Sequence, residues 1–429
     1  MKDRMLITGG QALEGTVQVS GGKNTAVAVI PATLLCDEPC TIENLPDIED
    51  VHALVDILRE LGAEVDYEPG HMLRVDPRPA EGSEVSYANA QRLRASYYFL
   101  GALLGRCGHA KVPTPGGCEI GSRPVDQHLK GFQALGAEAE ELRGVLTAEC
   151  TELTGGDVFF DMVTVGATVN VLLAAVRARG ITVIENAARE PHIVDLANFL
   201  NLMGADIMGA GTDVIKIRGV QDLHACDYSI IPDQIEAGTY MVAAAATKGD
   251  LLIKNVIPKH LEPITAKLRE CGAMVDEYDD AVRVYATGRL HGCNVKTMPH
   301  PGFPTDMQPQ FTVLLSLCEG ISIVTDSVWD NRFRYVDQLT RMGAQIQIEG
   351  KAAIVQGSAV LKGAPVKADD LRAGAAMIIA GLCAKGTTEI EDIIHIDRGY
   401  EDVVKKLTAV GASIARMEFP DPNITAKRA

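Results

Sequence analysis

The sequence predicts an α/β protein of two domains, each built from three copies of one mixed unit, and three observations predict it. The first is size: 429 residues exceed what one hydrophobic core usually organises. The second is a repeat. An apolar residue followed four positions later by Gly-Ala recurs as LRELGAEV, FQALGAEA, LNLMGADI, LRECGAMV, LTRMGAQI and LTAVGASI. The glycines are Gly62, Gly136, Gly204, Gly272, Gly343 and Gly411, a period of about seventy residues covering the whole chain. The third is a set of helical runs apolar all round, such as TVNVLLAAVRA and GAAMIIAGLCA, which only a buried position suits.

Within a unit the elements follow one order. An apolar helix (TVNVLLAAVRA, GTYMVAAAATK, QFTVLLSLCE, GAAMIIAGLCA) meets a turn and then a strand (ITVIENA, DLLIKNV, ISIVTDSV, TTEIEDI). An amphipathic helix comes next (IVDLANFLNLM, ITAKLREC, YVDQLTRM, YEDVVKKLTAV) and stops at the Gly-Ala, where glycine can take the left-handed conformation that ends a helix. Alternating segments such as VIKIRGV and VRVYATG close the unit as strands. The break between three copies and three falls around Ile230 to Asp233, where SIIPDQ reads as a connector.

Composition narrows the partners. A formal charge of −17 excludes the basic face that nucleic acid or an anionic membrane calls for. The start, MKDRMLITGG, has no apolar signal core, and no run approaches the ~20 apolar residues of a membrane span. Ten cysteines without a framework spacing suit a reducing cytoplasm, and the lack of any C-x-x-C pair speaks against a metal site. Neither metal nor cofactor is expected. Cys36, Cys107, Cys271, Cys318 and Cys383 fall in or at the end of apolar runs and read as core. Cys118 differs, sitting among glycines and prolines in PGGCEIGSRP. It reads either as a small apolar residue in a turn or as an accessible thiol whose acidity Arg123 and the glycine-rich backbone raise.

Any anion this acidic chain binds needs a local device, and the starts of the apolar helices supply one. They carry SGGKN, RLRAS, TVGAT, DQIEAGT, FPTDMQ and DDLRAG, and helix N-termini offer free N–H groups and partial positive charge. Ordinary capping suffices for DQIEAGT and TVGAT. It does not account for Lys23, Arg94 and Arg372, because a cation near a helix start opposes the dipole. SGGKN is no phosphate-binding P-loop, since Val17 stands where the first glycine belongs and Asn24 follows the lysine.

Taken together, SGGKN, RLRAS, PGGCEIGSRPVD, VGATVN, ENAAREP, PHPGFPTDMQPQF, NRF, DLRA and HIDRGYE resemble the UDP-N-acetylglucosamine enolpyruvyl transferases of the EPSP synthase family, from about Leu6 to about Arg416. The resemblance implies an inside-out α/β barrel of two domains, 22–231 and 1–21 with 232–429. Each domain would hold three β-α-β-α-β-β units around buried helices, with the active site in the cleft between domains and a disordered tail over 419–429. It implies transfer of the enolpyruvyl group of phosphoenolpyruvate to the 3′-hydroxyl of UDP-N-acetylglucosamine through a tetrahedral ketal, releasing phosphate, as the first committed step of peptidoglycan synthesis.

The family's functional residues map onto this chain as follows. Lys23, Asn24, Arg123, Arg332, Arg372 and Arg398 would hold phosphoenolpyruvate, arginine suiting both of its oxyanions. Asn24, Arg94, Arg123, Pro124, Val125, Asp126 and Gln127 would contact the sugar nucleotide, with Val163, Thr164, Val165, Gly166, Asp306 and Val328. Asp306 is the implied base, although by itself an Asp after Pro-Thr also reads as a helix cap, and Asp370 is implied in proton traffic. Cys118 would be the proton donor of a lid loop, able to add to phosphoenolpyruvate and to be alkylated by fosfomycin. Met162, Gln234, Asp47 and Glu49 depart from the family pattern by removing positive charge near the nucleotide side and the connector. Two other readings stay open: transfer to a different acceptor such as shikimate 3-phosphate, and a catalytically weak paralogue that binds sugar nucleotide and regulates through a protein partner.

Overall fold

The computed structural model describes residues 2–114 and 125–419. Cys118, Arg123 and Pro124, and all of the expected tail beyond Phe419, lie outside the described residues. Among those described, the chain divides into two compact units, one of 21–114 with 125–231 and one of 2–20 with 232–419.

Each unit repeats the predicted order, clearest in the third copy. There the strand Asp157–Phe159, helix Val165–Ala175, strand Ile181–Glu185, helix Pro191–Leu202 and strands Asp206–Met208 and Val214–Arg218 follow one another. They close a sheet in which Asp157–Phe159 runs parallel to Ile181–Glu185 and all other pairs are antiparallel. The same parallel edge recurs in other copies, but the strand that makes it comes from elsewhere. Asp227–Ser229 pairs with Cys40–Glu43 to open the first copy, and Glu14–Gln18 pairs with Asp250–Lys254 to open the fourth. Lys2–Thr8 lies between Thr387–Glu391 and Ser413–Phe419 and completes the sixth. In the second copy the edge shrinks to a single bridge between Glu84 and Lys111.

All six Gly-Ala motifs make the same helix ending. The glycines have φ between +85° and +103°. In each, the glycine N–H donates to the carbonyl three residues back and the alanine N–H to the carbonyl five back, as in Gly62 to Arg59 and Ala63 to Leu58. This double bond satisfies two otherwise free carbonyls, and the residue accepting the longer one is the apolar residue of the motif. The repeat visible in the sequence is therefore a repeated helix stop.

Inside each unit three apolar helices pack together: Lys23–Ala32, Tyr98–Cys107 and Val165–Ala175 in one, Gln234–Thr247, Gln308–Leu317 and Leu371–Cys383 in the other. Close approach depends on glycine. A side chain at Gly101 would meet the Asn170 carbonyl oxygen at 2.4 Å, and one at Gly105 the Leu173 carbonyl oxygen at 2.9 Å. Two of these helices begin earlier than apolar periodicity predicts, because Asp233 accepts the N–H groups of Ile235 and Glu236, and Asp370 those of Arg372 and Ala373. One cysteine expectation needs correcting. Cys107 is exposed, since it ends its helix just before Gly108 turns left-handed.

Candidate functional site

Of the side chains singled out by sequence, Lys23, Asn24, Val165, Gly166 and Arg372 lie in the first turns of buried helices. In the unit of residues 21–231, Lys23 opens its helix with Nζ 2.8 Å from Oδ2 of Asp50. Asp50 is buried in the first turn of the helix Glu49–Glu60. The carboxylate offsets the dipole that Lys23 opposes. Asn24, next in the helix, is half-buried.

Arg94 starts a short 3₁₀ turn, Arg94–Tyr97, that feeds the helix Tyr98–Cys107, and its guanidinium lies 5.7 Å from the centre of the Tyr97 ring. Tyr97 meets His128 edge to face at 4.8 Å between ring centres. The Nδ1 of His128 is 2.9 Å from Nδ2 of Asn170, whose Oδ1 accepts from the Gly101 N–H at 2.8 Å. An amide whose oxygen is engaged this way presents its NH₂ to the imidazole, so Nδ1 accepts and the ring proton sits on Nε2. Burial, reinforced by the charge of Arg94 and opposed by Asp126, pushes the His128 pKa down to about 3. The imidazole is therefore a neutral donor. It faces the start of the helix Val165–Ala175, where a Cβ on Gly166 would come 2.8 Å from the Tyr97 hydroxyl and 3.0 Å from His128 Nε2.

Val163 to Val165 are half-buried ahead of that helix, and Thr164, its N-terminal flank, makes no side-chain cap. Val125 is half-buried and Asp126 exposed. Gln127 is buried, and its amide is taken up within the protein. Its Nε2 donates to Asp126 Oδ2 (2.8 Å) and Asp161 Oδ2 (3.0 Å), and its Oε1 accepts the Asp161 N–H. Met162, the departure beside this segment, is exposed.

In the other unit Asp306 lies in the turn Thr305–Met307 that leads into the helix Gln308–Leu317. It caps nothing. Its Oδ1 accepts from Arg332 Nη2 and its Oδ2 from Arg372 Nη2, each at 2.9 Å. The two arginine side chains are 1% and 6% exposed and that of Asp306 30%, so the cations are inside and the carboxylate is reachable. Burial works against the charge of Arg372, and Asp306, Tyr400 and Asp233 more than restore it, raising its pKa above the ordinary value.

Tyr400 binds this group together. Its hydroxyl is 2.9 Å from Thr239 Oγ1, Gln310 Nε2 donates to both hydroxyls, and Arg372 lies over its ring at 5.9 Å. Asp370 uses Oδ1 as the cap of the helix that carries Arg372. Arg398, half-buried, follows the short helix Ile394–Asp397. Val328 is held by its N–H to Oδ1 of Asp326.

Sequence reasoning missed Asp50, His128, Asp326 and Tyr400. A faint signal existed for two of them: Asp50 occupies a buried position of an amphipathic pattern, and Asp326 an acidic position closing the strand Ile321–Thr325.

Each unit thus carries cations at or near the starts of its buried helices, paired with carboxylates of the protein, and in the unit that holds Asp306 that carboxylate is partly exposed. The profile described as EPSP synthase (3-phosphoshikimate 1-carboxyvinyltransferase) matches residues 7–407. The chain belongs to the EPSP synthase family. Among EPSP synthase family members, UDP-N-acetylglucosamine 1-carboxyvinyltransferase 3 of Caldanaerobacter subterraneus is 55% identical over 415 residues, 97% of this chain and 99% of that one. The UDP-N-acetylglucosamine 1-carboxyvinyltransferase of Clostridium botulinum is 53% identical over 96% of this chain and its own full length. Of solved structures, the enolpyruvyl transferase NikO from Streptomyces tendae superposes with a TM-score of 0.87 at 27% identity, covering 98% of this chain and all of NikO. EPSP synthase from Acinetobacter baumannii, at 17% identity and a TM-score of 0.74, shares the fold. The two-unit α/β architecture is thus that of the EPSP synthase family. Among the described residues no helix is long and apolar enough to cross a membrane.

Proposed function

We propose that this chain transfers the enolpyruvyl group of phosphoenolpyruvate to the 3′-hydroxyl of UDP-N-acetylglucosamine, in the cytoplasm, as the entry step to peptidoglycan. The observation that carries the reading is the carboxylate of Asp306, reachable from solvent and gripped by two buried guanidiniums. An addition to phosphoenolpyruvate needs such a base beside cations that bind oxyanions. The names of relatives sharing over half of the sequence supply the acceptor.

In this reading Lys23, Asn24, Arg123, Arg332, Arg372 and Arg398 hold the carboxylate and phosphate of phosphoenolpyruvate. Asn24, Arg94, the segment Arg123 to Gln127, the segment Val163 to Gly166 and Val328 hold the sugar nucleotide. Gln127 acts by keeping Asp126 and Asp161 in place, since its amide is already engaged. Asp306 takes the proton of the 3′-hydroxyl as that oxygen attacks C2, while the Cys118 thiol gives a proton to C3. The product of this addition is a ketal bearing carboxylate, phosphate, methyl and sugar oxygen. Elimination then removes a proton from the methyl group and breaks the C2–O bond to phosphate. Asp370 is a weaker candidate for that proton traffic, because it shares its carboxylate with a helix cap. Fosfomycin would alkylate Cys118.

The test is phosphate release from phosphoenolpyruvate with and without UDP-N-acetylglucosamine, in wild type and Cys118→Ser, with and without fosfomycin. Sugar-dependent release that fosfomycin abolishes in wild type is the expected result. Binding of the nucleotide without any release would sink the proposal, and release with shikimate 3-phosphate instead would change its acceptor.

A further inference from the structure

Asp326 lies outside the residues so far given a role, yet it is fully buried and ionisable. Its Oδ1 accepts the N–H groups of Val328 (2.9 Å) and Trp329 (2.8 Å), and its Oδ2 accepts the hydroxyl of Thr305 at 2.8 Å. Thr305 is held from its other side too, its carbonyl oxygen accepting from Nε (3.3 Å) and Nη2 (3.1 Å) of Arg332, the arginine that also binds Asp306. The segment after Asp326 is tied down as well, through Ser327 N–H to Thr297 Oγ1 at 3.1 Å. Three donors on one buried carboxylate make a rigid joint, because water cannot replace any of them.

From this geometry we propose that Asp326 is a positioning residue that sets the base segment Thr305–Asp306 and the Val328 loop in one fixed relation. It does so without touching substrate. The inference rests on the reading of Asp306 as base and of Val328 as a sugar-nucleotide contact. A buried carboxylate is preferred over a neutral group here because it alone accepts from two N–H groups and a hydroxyl at once. Displacing a base by about 1 Å costs roughly 10²-fold in rate, so the joint acts on turnover more than on binding.

Thr305→Val is the informative variant, since it keeps the side-chain shape and removes only the link from Asp326 to the base segment. Its kcat should fall about 10²-fold while the dissociation constant for UDP-N-acetylglucosamine, measured by calorimetry, stays within about threefold of wild type. Thr305→Ser, which restores the hydroxyl, should recover kcat to within about threefold of wild type. Asp326→Ala should lower kcat and also weaken the nucleotide, because it frees Val328. A Thr305→Val protein that melts cooperatively and keeps wild-type kcat would overturn the proposal, as would loss of kcat that Thr305→Ser does not rescue. Those outcomes leave the base assignment standing; a wild-type enzyme that releases no phosphate at all would instead remove the reading on which the inference rests.

Discussion

Arg372 and Asp306, sixty-six residues apart in sequence, meet at 2.9 Å between Nη2 and Oδ2 and join the first turn of the buried helix Leu371–Cys383 to the turn that leads into Gln308–Leu317. Arg332 takes the other oxygen. Removing one partner of a buried pair leaves the other charge uncompensated, typically at about 3–5 kcal/mol. Asp306 is partly open to water, so Asp306→Ala should cost less, about 2 kcal/mol in urea unfolding. Sugar-dependent phosphate release should fall by about 10²–10⁴-fold, the range for loss of a general base. A variant with normal turnover would show that the carboxylate serves stability alone.

His128 predicts a pH dependence of stability. Its folded-state pKa, near 3, is far below the ordinary value of 6.5, so the unfolded chain binds a proton that the native protein refuses. Its contribution is thus complete above pH 6.5 and lost as pH falls toward 3. Between pH 7 and pH 5 the loss amounts to about 2 kcal/mol. Urea midpoints of wild type and His128→Gln measured at both pH values should converge as acid is added, the variant being flatter. Parallel curves would mean that the imidazole charges in the folded state.

The helix stops can be tested where sterics are silent. At Gly272, φ is +92° and an added Cβ would meet nothing closer than 3.9 Å. Gly272→Ala therefore isolates backbone strain and should destabilise by about 1 kcal/mol, with Gly272→Asn milder because asparagine tolerates this region. Equal urea midpoints for all three would refute the left-handed ending.

For Cys118 the expectation is covalent. Intact mass after fosfomycin treatment should show one adduct in wild type and none in Cys118→Ser, the thiolate being the nucleophile. An adduct that survives in Cys118→Ser would place the reactive thiol elsewhere among the ten cysteines.

Much of this was readable in advance because the features are local. Left-handed glycine after an apolar-patterned helix is a matter of neighbouring residues, and so is the burial of a helix with no polar side; hence the six Gly-Ala stops and the buried helices are visible in the string of letters. Lys23, Arg94 and Arg372 stood out for a local reason as well, being cations where the dipole disfavours them. Capping shifted the helix starts at Asp233 and Asp370, since a side-chain oxygen organises residues that apolar periodicity ignores.

What the string of letters could not show is which distant groups share a charge or a sheet. Lys2–Thr8 and Glu14–Gln18 serve copies hundreds of residues away, a pairing set by chain closure and not by any local preference. Asp50 under Lys23, Asn170 fixing the tautomer of His128, and Asp326 behind Thr305 are all contacts between elements. By itself the sequence determined the repeat, the buried helices and the residue types at their starts, because backbone conformation and burial follow from near neighbours. Only the tertiary structure decided which carboxylate faces which cation, because desolvation and Coulomb attraction act on distance in space and are blind to distance along the chain.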